Sequence, residues 1–499
     1  MKQSFKYILL GLGLTCLGVA SYFGYTLWRV LSIGTAYQAK QFCSGVFVSG
    51  RTPKSIFNQD VLTEIEALSP LEQSIVKSIQ VNVDRQQKSV TASIFGWAKH
   101  QAIFRDELGC TLVLATSQAK LRSLVKSMDM APQKLDQRWL LGQTDRHPSE
   151  INQKQLKVAL DWVFQPQLHT RAVVIVYKGQ IVAERYAPGF SAKMPLPGWS
   201  MTKSVINALV GILVKEGKLS LTDKNLMPQW NNSGDRRSQI TLDCMLRMSS
   251  GLRFNEAESN PLGDLIQMLF GQANTAVYAA NQPLEAAPNT KWQYSSGTTN
   301  IVSRVIRKAI TNDADYLAFP RHALFDRLGM KSAVIEPDAS GTFVGSSFMY
   351  ATARDWARFG LLYLQDGVWE GQRILPEGWV KYSSTPTELA PKKNYGAHFW
   401  LMKVATPSRQ IQILTAQGFQ DQYIAIIPSH QMVIVHLGKN EKATRQQFIP
   451  QILAAFVNNT VSDEQAVIAV ITRALSDRYS WLSESVPLDN LIPDTHTTG

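Results

Sequence analysis

Residues 197–219 read PGWSMTKSVINALVGILVKEGKL. From Val205 to Val214 the stretch is apolar nearly all round, the pattern of a helix buried in the middle of a fold. Lys203 nevertheless stands one turn into it. Two explanations are open. Either the lysine snorkels to the surface at the helix end, or it is kept inside to serve a neighbour. That neighbour is Ser200, three residues earlier and on the same helix face.

A serine hydroxyl is a poor nucleophile unless a nearby base accepts its proton. Lysine is such a base only when uncharged. From an ordinary value near 10.4 its pKa must fall by about three units, or about 4 kcal/mol of differential stabilisation. Burial and neighbouring positive charge both act in that direction. A serine at a helix N-terminus also gains from the helix dipole, and its own N–H can face a developing oxyanion.

The S-x-x-K spacing alone decides nothing, because it occurs four times: Ser74–Lys77, Ser117–Lys120, Ser123–Lys126 and Ser200–Lys203. Context separates them. Ser117 and Ser123 sit among Lys120, Arg122 and Lys126, a solvated face. Ser74–Lys77 lies on a short amphipathic segment. Only Ser200 opens a run with Val205, Ile206, Leu209, Val210, Ile212, Leu213 and Val214.

Around this helix the pattern is strand-rich. TRAVVIVYKGQIVAERYAPG predicts two strands about a Lys178-Gly179 turn. Strand-like runs return late as AHFWLMKV, IQILTAQG, QYIAIIP and MVIVHLG. The residues between, from Leu221 to Leu328, read as mainly helical and rich in loops. Strands at both ends with helices between argue for one antiparallel sheet, built from the first hairpin and the last strands, with a helical insertion. Helices are expected near Arg445 to Val457 and Gln465 to Leu475. Before this section, QVNVDRQQKSVTASIFGWA predicts a hairpin around Arg85 to Lys88, preceded by a helix over Pro70 to Ser78. GQTDRHPSEINQ reads as a connector. The polar tail after Asp489 reads as disordered.

The chain has 499 residues, 45% hydrophobic, enough for more than one domain and a large core. Its formal net charge is +12. Lys2, Lys6, Arg29 and Lys40 give +4 in the first forty residues, which hold no acid, leaving +8 elsewhere. The cations are scattered among acids, so no nucleic-acid footprint is present. A basic surface near an anionic membrane and plain solubility both remain readings of the excess.

Tyr7 to Trp28 is twenty-two residues without a charge, long enough to cross a hydrocarbon core of about 30 Å as a helix. Lys2 and Lys6 favour a cytoplasmic N-terminus. A cleaved signal peptide ending near Gly18 and Ala20 is the alternative. The length of the run and the aromatics up to Trp28 favour an uncleaved anchor, with Cys16 as apolar filler. In either case the body is exported. In an oxidising compartment Cys43 and Cys110 are expected to pair, the alternative being two free buried thiols. Cys244, in a helical segment, is expected in the core.

These phrases also carry a resemblance. WSMTKSV, MLRMSSGL, WQYSSGTTNIVSRVI, LFDRLGM, ATARDWARFGLLYLQDGVW and AQGFQDQYIAIIP together resemble the serine β-lactamase and penicillin-binding-protein superfamily, whose members carry S-x-x-K at the start of a buried helix. Closer still is its 6-aminohexanoate-oligomer hydrolase branch, with esterase-like and class C β-lactamase-like relatives. The resemblance runs from about Gln165 to Val457, and the segment with Cys43 and Cys110 resembles the front part of longer members.

The resemblance implies an α/β (α+β), β-lactamase-like fold: an antiparallel sheet flanked by helices with a helical insertion. With the chain's own pattern it divides the protein into an anchor or signal (1–35), an N-terminal region with the expected disulfide (36–150), the hydrolase domain (151–480) and a tail (481–499). It implies that Tyr294, in YSS, matches the family's Tyr-x-Asn and stands beside Ser200 and Lys203. There a tyrosinate acts as general base, or Tyr294 and Lys203 share the proton. Ser296 stands where Asn is usual. Ala416-Gln417-Gly418 matches the third motif. Gly418 admits close approach of the strand, and the Phe419 N–H pairs with that of Ser200 as the oxyanion hole. The cation that usually holds a β-lactam carboxylate is replaced by Ala416. This puts β-lactamase and transpeptidase activity in doubt and leans towards ester or amide hydrolysis.

Other candidates are weaker. Glu256–Asn260 spells E-x-x-x-N, but it precedes Tyr294, the wrong order for the class A deacylating motif, and reads as coincidence. The eight histidines show no metal-binding spacing, so no metal and no cofactor are expected. His398 and His436 read as structural, His398 with a pocket-lining alternative. Asp421 and Gln422 either touch substrate or shape a turn; Trp199 either walls the site or packs.

The expected protein is a serine hydrolase working through an acyl-enzyme on a small or peptide-like ester or amide. It is held by one helix in a bacterial inner membrane with its catalytic domain in the periplasm. A peptidoglycan-directed D-amino-acid peptidase, a β-lactamase and a non-catalytic binding member are the alternatives. Nothing in the sequence sets the oligomeric state.

Overall fold

The computed structural model describes residues 2–66, 68–123, 151–405, 410–440 and 443–456, with the backbone alone for 2–18 and 20. The connector up to residue 150, the helix expected over Gln465 to Leu475 and the tail lie outside the described residues.

Helix α1 (Lys2–Cys43) opens the chain. It lies across an antiparallel meander of β1 (Gln80–Asp84), β2 (Ser89–Ile94), β3 (Ala98–Arg105) and β4 (Gly109–Leu112). The contact face of α1 repeats at helical spacing as Leu31, Thr35, Ala39, Phe42 and Cys43, all buried. Its small residues let the strands approach: Thr35 Oγ1 lies 2.8 Å from His100 Nδ1. At the far end Cys43 and Cys110 form a disulfide, with Cα atoms 6.0 Å apart. Cys244 is buried and unpaired to any other cysteine. Of the meander, only the β1–β2 hairpin had a clear alternating signature; β4 is four residues long and buried throughout.

Tyr22, Phe23, Tyr25 and Trp28 on α1 are exposed. The span expected over Tyr7 to Trp28 has most of its side chains outside the described residues. Among the described residues no helix is long and apolar enough to cross a membrane.

The second sheet has six antiparallel strands in the order β7-β8-β9-β10-β5-β6. They are β5 (Thr170–Tyr177), β6 (Gln180–Tyr186), β7 (Trp400–Ala405), β8 (Gln410–Gly418), β9 (Gln422–Ile427) and β10 (Met432–Gly438). The first hairpin thus pairs with the last strand, as the sequence pattern predicts: Val174 faces Val435 and Ile175 faces Ile434. The β5–β6 turn is tight because Lys178 (φ 49°) and Gly179 (φ 80°) both take left-handed backbone, the geometry that matches strand twist.

Alternate residues of β5 serve different layers. Val173, Ile175 and Tyr177 pack on one side against α2 (Gln153–Val163) and a C-terminal helix, Arg445–Ala454. Ala172, Val174 and Val176 face the main core, with α3 (Thr202–Lys215) and the helix Ala353–Leu364. Each valine so enclosed contributes about 2 kcal/mol by leaving water. The result is helices, sheet, helices, as the β-lactamase-like class implies. Twelve of the fourteen residues of α3 are buried. The helical insertion brings α4 (Asp264–Gly271) onto α1, with Tyr37 edge-on to Phe270 at 5.0 Å. It also brings α5 (Ser296–Ala309) onto α3.

Candidate active site

The site lies where the start of α3 meets the end of β8. Ser200 is in a short 3-10 turn, Trp199–Met201, that leads into α3. The turn is entered through Trp199 in left-handed backbone (φ 48°), an unfavourable state for a residue with a side chain that only firm surroundings maintain. Those surroundings are aromatic: the Trp199 ring meets Phe419 at 5.8 Å and Phe348 at 6.4 Å. Trp199 therefore packs beneath the site.

Ser200 is half-buried, whereas Lys203 is 1% exposed. Lys203 Nζ sits 2.9 Å from Ser200 Oγ, 3.0 Å from Ser296 Oγ and 3.1 Å from the carbonyl of Ser346. Burial lowers its pKa to about 8, against the opposing pull of Glu256 and Glu258. The lysine does not snorkel.

Tyr294 comes from the segment before α5. Its hydroxyl lies near enough to Ser200 to feel it, and its ring lies under Lys203 Nζ at 4.7 Å from the centroid. Burial raises the phenol pKa well above its usual value, and Glu256 raises it further; the nearby Ser200 hydroxyl offsets only part of this. Tyr294 is thus a neutral phenol beside an amine that is readily uncharged. A cluster of Trp292, Tyr395 and Trp400 surrounds it, with Trp400 stacked on Tyr294 at 5.4 Å. None of those three aromatics carried a sequence signal, because each lies on a different loop or strand edge.

Ser200, Lys203 and Tyr294 are therefore brought together. On the opposite wall, Gly418 ends β8 against the nucleophile turn. A Cβ at Gly418 would meet the Gly198 carbonyl oxygen at 2.2 Å. Phe419 follows it directly, and Ala416 is buried in the strand.

Glu256, read from the sequence as coincidence, stands at the site, though not through the E-x-x-x-N spacing. Its carboxylate accepts from the Ser296 N–H at 2.8 Å and from the Ser296 hydroxyl. Burial raises its pKa, while Lys203 and Ser296 pull it back. Glu258 beside it is raised to about 7 by burial and by Glu256.

The remaining candidates are structural. His398 Nδ1 is 3.1 Å from the Lys203 carbonyl and Nε2 is 3.2 Å from Thr299 Oγ1, tying α3 to α5. Burial and the Lys203 charge lower its pKa to about 3. His436 bridges Thr170 Oγ1 at 3.0 Å and the Asp421 carbonyl at 2.8 Å. Asp421 accepts from the Thr444 N–H at 2.7 Å and from Arg445 at 2.8 Å. Gln422 exchanges bonds with Gly438, at 2.7 and 3.0 Å. Both residues are committed to the turn.

A sheet flanked by helices, with a buried helix at its centre, matches known proteins. The family model described as Beta-lactamase matches residues 155–454, and the chain belongs to that family of serine hydrolases. A 6-aminohexanoate-dimer hydrolase from Paenarthrobacter ureafaciens is 22% identical over 223 residues, 42% of this chain and 56% of the relative. The match thus spans little more than half the length of that curated relative. Among solved structures, a putative 6-aminohexanoate-dimer hydrolase from Bacillus anthracis aligns with a TM-score of 0.50 at 21% identity, over 70% of this chain and 89% of its own. An octameric penicillin-binding protein homologue from Pyrococcus abyssi aligns at 0.50 and 14% identity, over 66% and 81%. At these identities the structural likeness concerns the fold.

Proposed function

We propose that this protein hydrolyses an ester or amide through an acyl-enzyme on Ser200. The observation that carries the reading is the 2.9 Å approach of Lys203 Nζ to Ser200 Oγ, with the amine buried and its pKa lowered to about 8. Ser200 attacks the carbonyl carbon as its proton passes to the uncharged Lys203. Tyr294, a neutral phenol beside Ser200 and Lys203, hands a proton to the leaving group and recovers it from the lysine. The N–H groups of Ser200 and Phe419 receive the oxyanion, a contribution of about 3 kcal/mol for each donor in comparable sites. Water then resolves the acyl-enzyme along the same proton path. No cofactor enters the scheme.

The lysine, rather than a tyrosinate, is the base in this reading, because burial lowers the amine's pKa to about 8, where the neutral form is readily reached, while burial keeps the phenol protonated. Ala416 offers no cation to a β-lactam carboxylate, which favours small esters or amides over β-lactams. The 6-aminohexanoate-dimer hydrolase relative supports the amide side. Attachment to a bacterial inner membrane through residues 1–35, with the hydrolase in the periplasm, belongs to the same proposal and rests on the uncharged run from Tyr7 to Trp28.

The test is labelling with a fluorophosphonate probe, wild type beside Ser200→Ala. Labelling of the wild type alone is expected. An unlabelled wild type removes the enzyme reading, and equal labelling of both moves the nucleophile elsewhere. A panel of p-nitrophenyl esters and short amides then assigns the substrate class. Covalent capture of penicillin would favour the peptidase alternative, and turnover of a chromogenic cephalosporin the β-lactamase. Release of the full chain from membranes by alkaline carbonate would remove the anchor.

A further inference from the structure

Ser296 occupies the place where the family's second motif usually has asparagine, and its hydroxyl is spoken for on both sides. It receives a hydrogen bond from Lys203 Nζ at 3.0 Å and gives one to Glu256, whose other oxygen is fixed by the Ser296 N–H at 2.8 Å. The chain of donors runs one way: amine, hydroxyl, carboxylate. We infer that Glu256, acting through Ser296, is a positioning residue that balances the charge formed on Lys203 when it takes the Ser200 proton. This rests on the hydrolase reading above and adds to it a residue from a separate loop.

The proton balance is closed. As the bond from Ser200 Oγ to the carbonyl carbon forms, the hydroxyl proton moves to Lys203 Nζ. The resulting ammonium holds three N–H donors. One returns towards Ser200 and Tyr294 to serve the leaving group, one is held by the Ser346 carbonyl at 3.1 Å, and one by Ser296 Oγ. Glu256 gains no proton; its charge offsets the ammonium through the polarised serine hydroxyl. An asparagine at 296 would supply an oxygen to the lysine without a negative charge behind it.

The groups facing this pair come from several elements. Glu256 and Glu258 lie on the loop before α4, Tyr294 precedes α5, and Tyr395 and His398 precede β7. His398 is held neutral by burial, and burial keeps Tyr294 and Tyr395 protonated. The two glutamates are therefore the acids that set the lysine's basicity. Glu256 is the one with a hydrogen-bonded path to it.

The test is the pH dependence of the second-order rate at which a fluorophosphonate labels Ser200 in the full chain. In the wild type the rate rises with pH through a midpoint near that of Lys203. Removing the negative charge with Glu256→Gln makes the ammonium less favourable, so the midpoint moves down by about one unit, and the plateau rate falls about tenfold as the base weakens. Ser296→Ala breaks the hydrogen-bonded path but leaves the carboxylate in place, so it moves the midpoint the same way by less, and the double variant adds little to Glu256→Gln. Glu256→Asp, which keeps the charge, retains a midpoint near the wild type's and controls for misfolding. An unchanged midpoint in Glu256→Gln, or full additivity in the double variant, overturns the inference while leaving the hydrolase standing. A wild type that is not labelled removes both.

Discussion

The carboxylate of Glu336 and the ammonium of Lys40, 296 residues apart in sequence, form an ion pair whose side chains are 0% and 4% exposed. Glu336 also accepts from Ser44 Oγ at 2.8 Å and from the Cys110 N–H at 2.6 Å. One acid late in the chain thus holds three groups from its first 110 residues. Burial lowers the lysine's pKa, and Glu336 works against that. Removing the acid leaves a buried cation and an orphaned N–H. Glu336→Ala should therefore cost about 3–5 kcal/mol, read as a fall in the urea midpoint. The double change Lys40→Met/Glu336→Leu should recover part of that loss. A single variant as stable as the wild type would show that the pair is not closed in solution.

The disulfide adjoins this cluster. Cys43 and Cys110 are separated by 67 residues. Closing a loop of that length restrains the unfolded chain by about 4 kcal/mol in the chain-entropy account. Replacing both cysteines by alanine should lower stability by an amount of that order, and dithiothreitol should lower the melting temperature of the wild type but not of the variant. Equal sensitivity of both proteins to the reductant would show that the bond does not form.

At the site, Gly418 is the position where a single methyl group does most damage. Its backbone is ordinary (φ −130°), so conformational freedom is not the reason for glycine. Space is: a Cβ would lie 2.2 Å from the Gly198 carbonyl oxygen and 3.2 Å from Gln422 Cβ. Gly418→Ala must push β8 away from the turn that carries Ser200. A displacement near 1 Å costs about a hundredfold in rate, and the strain about 1–3 kcal/mol in stability. The fluorophosphonate labelling rate should fall by that factor while the protein still folds. Labelling at the wild-type rate would detach the end of β8 from the oxyanion hole.

The parts that were legible in the sequence are those written locally. Ser200 and Lys203 are one turn apart on a helix, and the apolar run after them announces burial. Strands β5, β8, β9 and β10 are short β-branched runs bounded by turn residues, and the hairpin turn at Lys178-Gly179 is visible as such. Glu256 was not legible, because it reaches Lys203 only when its loop folds onto Ser296, forty residues later. The course of α1 was half legible. The uncharged run marked its first part, but beyond Arg29 the helix is buried by Thr35, Ala36 and Ala39. Small residues of that kind give no apolar signature. Trp292, Tyr395 and Trp400 converge from three segments and have meaning only together.

A further prediction concerns acid stability. Asp60 pairs with Arg51 at 2.5 Å and with Arg171, at the start of β5, its side chain being 16% exposed. Burial alone would raise its pKa, but Arg171, Lys439 and Arg51 outweigh burial and hold it at about 2. In the unfolded chain an aspartate titrates near 3.9, so the folded state binds the proton more weakly. The stabilisation is complete above the unfolded value and is lost as pH falls through about 2, a contribution of about 2 kcal/mol at neutral pH. Asp60→Asn removes it and leaves Arg51 and Arg171 without their shared acid. The unfolding free energies of wild type and Asp60→Asn should therefore differ most above pH 5 and converge as the solution approaches about pH 2. A constant gap across that range would mean that Asp60 carries its proton equally in both states, and that the two arginines are not held by its charge.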